Sequence, residues 1–292
     1  MIKLLVSDLD GTFLSHERNE KGSFVSDANM EAMKRFREAG GTFVTASGRH
    51  HEYSYSLMEE LGFEFDMIGT NGATLIHNNH LIEHNNPARH IVREVVEELT
   101  KEEYREHLEV TGVDLSFKYI LGQGLESWYL PAFAKLVDDG TVGGLHDVKL
   151  IDWLNDRKRP DITSLSVTIR DDSRLHEWIV YLREKFDKYF DIYASGPRYI
   201  ELMRPGINKG HGVRSIMKLY GLEEHEVAVV GDNQNDISMF FATPRNSFVM
   251  STAADGVKKY ARYTVDSVAE AIDIIMRKNA SEIATKEVEN HD

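Results

Sequence analysis

Apolar residues along this chain follow two alternating patterns. Unbroken runs such as Ile2, Leu4, Leu5 and Val6, and later Val227-Ala228-Val229-Val230, read as strands buried on both faces. Thr42–Thr45, Phe65–Ile68, Ser247–Met250 and Tyr263–Val265 read as further strands. Between them the apolar positions fall three and four apart, the period of a helix with one buried side. Met30, Met33 and Phe36 form such a stripe behind a Ser26 cap and before Gly40-Gly41, and the methionines there are core packing. A second helix runs to about Leu61 with Gly62 as its stop, and a third carries Val213, Ile216 and Met217 up to Gly221. Helices are also expected at Ala254–Tyr260 and Ser267–Arg277, with a polar, frayed tail from Asn279 to Asp292. A polar loop fills Ser15–Val25. Strands alternating with helices predict a parallel sheet covered on both faces, a doubly wound Rossmann-like α/β core.

The middle of the chain breaks this rhythm. Ala73–His84 reads as a hairpin turning at Asn78-Asn79, because Asn tolerates the positive φ of a tight turn. His77, His80 and His84 cluster there and are read as a solvated hairpin face rather than a metal site, since no acidic or buried support is evident. Asn86 is expected to cap, and Pro87 to open, a helix whose stripe is Ile91, Val92, Val95, Val96 and Leu99. Thr100-Lys101-Glu102-Glu103 matches a capping box that restarts a helix. Strands are expected at Leu115–Ile120, Ile162–Ile169, Phe190–Ala194 and Tyr199–Met203, with a helix at Ser173–Phe186. The glycine-bearing stretch holding Gly122, Gly124, Gly140, Gly143 and Gly144 gives no clear element. Residues 80–201 are therefore expected to form a separate α+β domain inserted into a discontinuous core of residues 1–79 and 202–292.

Composition narrows the function. The 292 residues contain no cysteine, which excludes disulfides and thiolate metal sites and fits a reducing, cytoplasmic setting. The opening apolar run is short and contains Lys3, unlike a signal peptide, and no stretch has the length of a membrane span. The net charge of −14 disfavours nucleic acid and acidic membranes as partners. It also repels phosphate esters at long range, so a site for them needs local cations.

Four polar segments stand where burial does not explain them. Asp8 and Asp10 follow the first strand directly, and Gly11-Thr12 turns the chain after them. A carboxylate pair at a strand end suits a hard cation or a phosphoryl-transfer nucleophile. Ser47-Gly48-Arg49 lies in the next strand-to-helix turn; Ser47 either caps the helix or meets a phosphate oxygen. Lys209 opens a helix, against the usual dipole preference, and is either an exposed lysine or the partner of an anion. Gly231-Asp232-Asn233-Gln234-Asn235-Asp236 follows another buried strand, either as a capped polar turn or as a second carboxylate cluster.

In this order and with this insert, Asp8-x-Asp10-Gly11-Thr12, Ser47-Gly48-Arg49, Lys209-Gly210 and Gly231-Asp232-x-x-Asn235-Asp236 resemble the Cof-type phosphatases of the haloacid dehalogenase superfamily. Thr70-Asn71-Gly72-Ala73 fits the stretch that leads into that branch's inserted domain. The likeness runs to about Arg277. One departure is Met250-Ser251-Thr252-Ala253, where the family usually has Met-Gly-Asn-Ala. The resemblance implies an inserted cap domain, Mg²⁺ held by Asp8, the carbonyl of Asp10 and Asp232, and Asp8 as the nucleophile that forms an aspartyl phosphate. It implies Asp10 as proton donor and then acceptor, and Lys209, Ser47, Gly48 and Asn235 around the phosphate. Asp236 would orient Lys209 or the metal's waters, and Arg49 would support the site or the substrate. The expected activity is hydrolysis of a small phosphorylated metabolite, a sugar phosphate by default, by a monomer or small homo-oligomer. A phosphomutase or phosphotransferase using the same intermediate is the alternative, and a silent metabolite-binding regulator a further one.

Overall fold

A computed structural model of the chain describes residues 1–15, 17–20, 22–49, 52–115, 118–138 and 144–289. Residues 16 and 21 of the expected loop, the start of the expected strand at 116 and 117, Gly140, Gly143 and the end of the tail at 290–292 lie outside the described residues.

The first elements follow the apolar pattern closely. Strand β1 (Leu4–Ser7) is followed by helix α1 (Asp27–Glu38), whose cap Ser26 accepts from Asn29 N. Then come β2 (Thr42–Ala46), α2 (Glu52–Leu61), β3 (Asp66–Gly69), β4 (Thr74–His77) and β5 (His80–His84). Asn78 and Asn79 take φ 48° and 61°, which makes the two-residue turn between β4 and β5. Next are α3 (Arg89–Leu99), β6 (Leu108–Val113), β7 (Tyr119–Leu121), α4 (Leu130–Asp138), α5 (Leu150–Asn155), β8 (Ser164–Ile169), α6 (Leu175–Phe186), β9 (Asp191–Ala194) and β10 (Tyr199–Met203). The chain closes with α7 (Lys209–Tyr220), β11 (Val227–Gly231), α8 (Ile237–Ala242), β12 (Ser247–Met250), α9 (Asp255–Lys258), β13 (Tyr263–Val265) and α10 (Val268–Glu289).

Two compact units emerge: Met1–Ile82 with Asn208–Asp292, and Glu83–Ile207. The first holds a sheet in the order β13-β12-β11-β1-β2-β3-β4-β5, with β13 through β3 parallel and β4 antiparallel to β3. Leu5 packs into a core with α1, α2 and α10, while its neighbours Leu4 and Val6 pack with α7, α8 and α9. A strand apolar at every position is what this double covering requires. β1 lies between β11 and β2, so the segments following these three strands emerge at one end of the sheet.

The second unit has an antiparallel sheet in the order β7-β6-β8-β10-β9. Leu108, Val110, Leu165, Val167, Ile169, Ile200 and Leu202 form one core with the stripes of α3, α5 and α6. β6 was not read from the sequence, because Glu109 and Thr111 interrupt its apolar run; both are buried here.

Four further expectations are corrected. Ala88, not Asn86, precedes the first residue of α3, and Pro87 lies outside the helix. Arg89 fixes that start, its guanidinium donating to the carbonyls of Trp153, Leu154, Asp156, Arg159 and Pro160. Thr100 does not cap a new helix: its hydroxyl donates back to Val96 O at 2.6 Å, and only a single 3₁₀ turn, Glu102–Tyr104, follows. The tail is helical through Glu289 in α10, and Asn279, at the start of the tail, pairs with both the N–H and the carbonyl of Ile2 at 2.7 and 2.8 Å. His77 has an acidic partner after all: buried Asp66 accepts from its Nδ1 at 2.6 Å and from Tyr220 Oη at 2.8 Å.

Candidate active site

The tight turn after β1 sets the geometry. Asp8 continues the strand's pairing through its N–H to Val230 O at 2.9 Å, so its side chain starts from a rigid backbone. The chain then folds back on itself, with Phe13 N bonded to Asp8 O and Leu14 N to Leu9 O. Gly11 takes φ +80°, and a Cβ there would stand 2.9 Å from Asp232 Oδ2, so only glycine suits this close approach. Thr12 Oγ1 donates to Asp232 Oδ1 at 2.7 Å, tying the turn after β1 to the one after β11.

Between these turns lies a buried charge cluster. Lys209, first residue of α7 and 1% exposed, donates to Asp8 Oδ1 at 2.5 Å and to Asp236 Oδ1 at 2.6 Å. Asp236 is fully buried, and its other oxygen accepts from the N–H groups of Asp232 and Asn233, both at 2.9 Å. Carboxylate oxygens of Asp8, Asp232 and Asp236 lie within 4.8 Å of one another. Burial pushes the Asp8 carboxyl well above its usual range, Asp236 adds to this, and Lys209 only partly offsets it. Asp232 is raised for the same two reasons, burial first and then Asp236. Burial opposes the Lys209 charge, but Asp236 and Asp8 outweigh it and keep the ammonium protonated.

Three carboxylates against one ammonium leave negative charge uncompensated in a buried, all-oxygen site. That donor set fits a hard divalent cation. Asp236 already spends both oxygens on three donors, whereas Asp8 and Asp232 each keep one oxygen with none of those bonds.

The other residues singled out in the sequence lie around this cluster in part. Ser47 is buried after β2 and its Oγ accepts from Arg49 N at 3.0 Å, a turn bond rather than a contact with the carboxylates. Gly48 is exposed beside it. Asp10 points elsewhere: it is exposed and takes a two-pronged pair from Arg49, Nε to Oδ2 at 2.8 Å and Nη2 to Oδ1 at 2.6 Å. Asn235 donates through Nδ2 to Asn71 Oδ1 at 3.1 Å. Ser251 and Thr252 form a turn in which Ser251 N bonds Val265 O at 2.8 Å.

A profile of haloacid dehalogenase-like hydrolases matches residues 5–273. The chain belongs to that family. Within it the chain is a hydrolase of the Cof-type phosphatase branch. It is 26% identical over 288 residues to the 5-amino-6-(5-phospho-D-ribitylamino)uracil phosphatase YbjI of Escherichia coli (strain K12), covering 96% of this chain and 98% of that one. The 5-amino-6-(5-phospho-D-ribitylamino)uracil phosphatase YcsE of Bacillus subtilis (strain 168) is 25% identical over 273 residues, 92% of each chain. A crystal structure of a haloacid dehalogenase-like hydrolase from Bacteroides thetaiotaomicron superposes with a TM-score of 0.73 at 25% identity, covering 94% of this chain and all of that one.

Three residues of the site carried no role in the sequence. Thr12 was read only as part of a turn. Asn29, in α1, brackets the turn after β1: its Nδ2 donates to Phe13 O at 3.1 Å and its Oδ1 accepts from Ala269 N at 3.0 Å. Asn71 was read only as a connector, yet it contacts both Ser47 and Asn235. A polar residue buried among apolar ones, as Asn29 is between Ala28 and Met30, was the available signal for the second.

Proposed function

We propose that this chain hydrolyses the phosphate monoester of a small metabolite through an aspartyl phosphate on Asp8. The observation that carries the reading is the Lys209 ammonium held between Asp8 and Asp236 at the ends of adjacent parallel strands. A carboxylate so paired is held in one orientation beside a fixed cation, which an attacking group requires. Lys209 has three N–H groups; Asp8 and Asp236 take two, and the third meets a phosphoryl oxygen. Asp236 holds that ammonium in place and has no oxygen left for another task. Ser47 and Asn235 supply further hydrogen bonds to the phosphoryl group.

Mg²⁺ bound by Asp8 and Asp232, with the Asp10 carbonyl, would neutralise the dianionic ester and orient it. Asp10 donates a proton to the leaving oxygen and later takes one from the attacking water. For that it parts from the Arg49 guanidinium, which lies beside it and supports the site or the substrate. The leaving alcohol belongs to a sugar or a sugar-like polyol. Two relatives named as phosphatases of a phosphoribityl compound support this choice. The setting is the cytoplasm, consistent with a cysteine-free chain.

The test is phosphate release from a panel of sugar and polyol phosphates with added Mg²⁺, comparing the wild type with Asp8→Asn. Turnover falls at least about 1,000-fold in the variant. Its melting temperature does not fall, because the substitution removes a carboxylate crowded by Asp236 and Asp232. Near-normal turnover by Asp8→Asn would sink the mechanism.

A further inference from the structure

The turn between β3 and β4 has a backbone that ordinary packing does not call for. Thr70, Asn71 and Gly72 take φ 49°, 51° and 97° in succession. A left-handed asparagine is tolerated, but a left-handed, β-branched threonine is a steric outlier. Thr70 Oγ1 is also buried without a hydrogen-bond partner, so the conformation does not serve that side chain. Nor is the segment a loose loop, since Thr70 and Asn71 are 6% and 4% exposed.

The conformation serves Asn71. Its N–H reaches Ser47 O at 3.0 Å while Thr70 N reaches Arg49 O, also at 3.0 Å, so the two left-handed residues clamp both ends of Ser47-Gly48-Arg49. The Asn71 amide lies over Gly48, where an added Cβ would stand 3.2 Å from Nδ2. Its Oδ1 accepts the Nδ2 hydrogen of Asn235 at 3.1 Å, from a segment 164 positions away. Asn235 Oδ1 is buried and has no hydrogen-bond partner, so the bond to Asn71 is what the structure gives that amide for orientation. Gly72 continues the same fit: a Cβ there would stand 2.1 Å from Asn208 O, next to Lys209. One short turn thus touches the three segments that carry Ser47, Asn235 and Lys209.

We infer that Asn71 is a positioning residue for phosphate binding. It aims the second Nδ2 hydrogen of Asn235 and the Ser47–Arg49 turn at one phosphoryl group. The strained backbone of Thr70 and Asn71 is retained because no relaxed turn presents a side-chain acceptor to Asn235 and a backbone donor to Ser47 at once. This inference rests on the proposed phosphatase reading of the site.

Asn71→Gly separates the two roles of the residue. Glycine accepts the left-handed backbone without cost, so the fold is kept while the amide is lost. The measurements are steady-state kinetics on the best monoester of the panel, inhibition by inorganic phosphate, and thermal melting. For Asn71→Gly, KM and the phosphate inhibition constant rise about 10-fold or more while kcat falls less and the melting temperature holds or rises. Asn71→Asp, which keeps an acceptor for Asn235, recovers part of the KM loss. Asn235→Ala raises KM comparably, and the double variant Asn71→Gly/Asn235→Ala is no worse than Asn235→Ala alone. Asn79→Gly, which relieves a left-handed asparagine in the β4–β5 turn, leaves KM unchanged. An unchanged KM and phosphate affinity in Asn71→Gly, or losses that add in the double variant, overturn the inference while wild-type turnover upholds the phosphatase reading. A wild type that neither hydrolyses any monoester nor binds phosphate overturns both.

Discussion

At the scale of single residues, Lys209 decides most of what the site can do. A lysine placed at a helix start is electrostatically disfavoured, and a lysine 1% exposed more so. It is held there by Asp8 and Asp236, and they in turn are held by it. Removing the ammonium leaves both carboxylates buried without their cation. Lys209→Met is therefore expected to destabilise the fold by about 3–5 kcal/mol in urea unfolding, besides losing turnover. Adding Asp236→Asn to that variant restores part of the stability, because one of the stranded charges is gone. The carboxylates at 8 and 232 and the lysine at 209 stood out in the sequence as charged groups where burial did not explain them. The resemblance implied that Asp236 orients Lys209; what the sequence did not carry was that Asp10 faces Arg49 and that Asp236 also takes the N–H groups of Asp232 and Asn233. Those facts depend on side-chain directions after turns, which residue type alone leaves open.

At the scale of elements, the parallel strands of the first unit were legible because a strand covered on both faces must be apolar throughout. The antiparallel unit was less so, and β6 shows why. Its inner face is Leu108 and Val110, but its other side carries Glu109 and Thr111, both buried. Burial pushes the Glu109 carboxyl up to about 7, although Ser127 Oγ and Gln123 N donate to it at 2.5 and 3.1 Å. Glu201 on β10 is raised to about 7 as well, again by burial. The sign follows from linkage. A carboxyl whose pKa rises from an ordinary 4.5 to about 7 on folding stabilises the folded state fully below 4.5 and loses that contribution as pH climbs through about 7. Across that window the stability attributable to Glu109 falls by roughly 3 kcal/mol. Melting curves from pH 5 to 8 are expected to decline more steeply for the wild type than for Glu109→Gln. Parallel curves for the two proteins would remove Glu109 as the cause. Helix ends were the least legible feature. Asn86-Pro87 has the right residue types for a helix start, but α3 begins where Arg89 can reach the carbonyls around α5. A contact 65 residues away set that boundary.

At the scale of the whole molecule, the charge balance links the site to stability. The chain carries a net −14, and three of its carboxylates, Asp8, Asp232 and Asp236, share one cluster with the Lys209 ammonium. A divalent cation bound there stabilises the folded protein by mass action, by about 2.7 kcal/mol when its concentration is 100 times the dissociation constant. Stripping with a chelator is expected to lower the melting temperature, and Mg²⁺ to restore it. In Asp232→Asn the response to Mg²⁺ is lost or strongly reduced. A wild type whose melting temperature ignores both treatments would argue against the carboxylate cluster as a cation site. Among the described residues no helix is long and apolar enough to cross a membrane.

The sequence by itself determined the strand–helix alternation, the doubly wound core, the family and the segments that carry charge without an apolar reason for it. These are local properties: periodicity, glycine turns and residue chemistry at strand ends are written in neighbouring positions. The tertiary structure decided which of those charges meet. It brought Asp8, Lys209 and Asp236 together because β1 pairs with β11 and α7 begins beside both, and it set Asn71 between Ser47 and Asn235 through two left-handed residues. Register, side-chain direction and backbone strain arise only from packing distant segments against each other. Asn71, like Thr12 and Asn29, was for that reason concealed in the sequence.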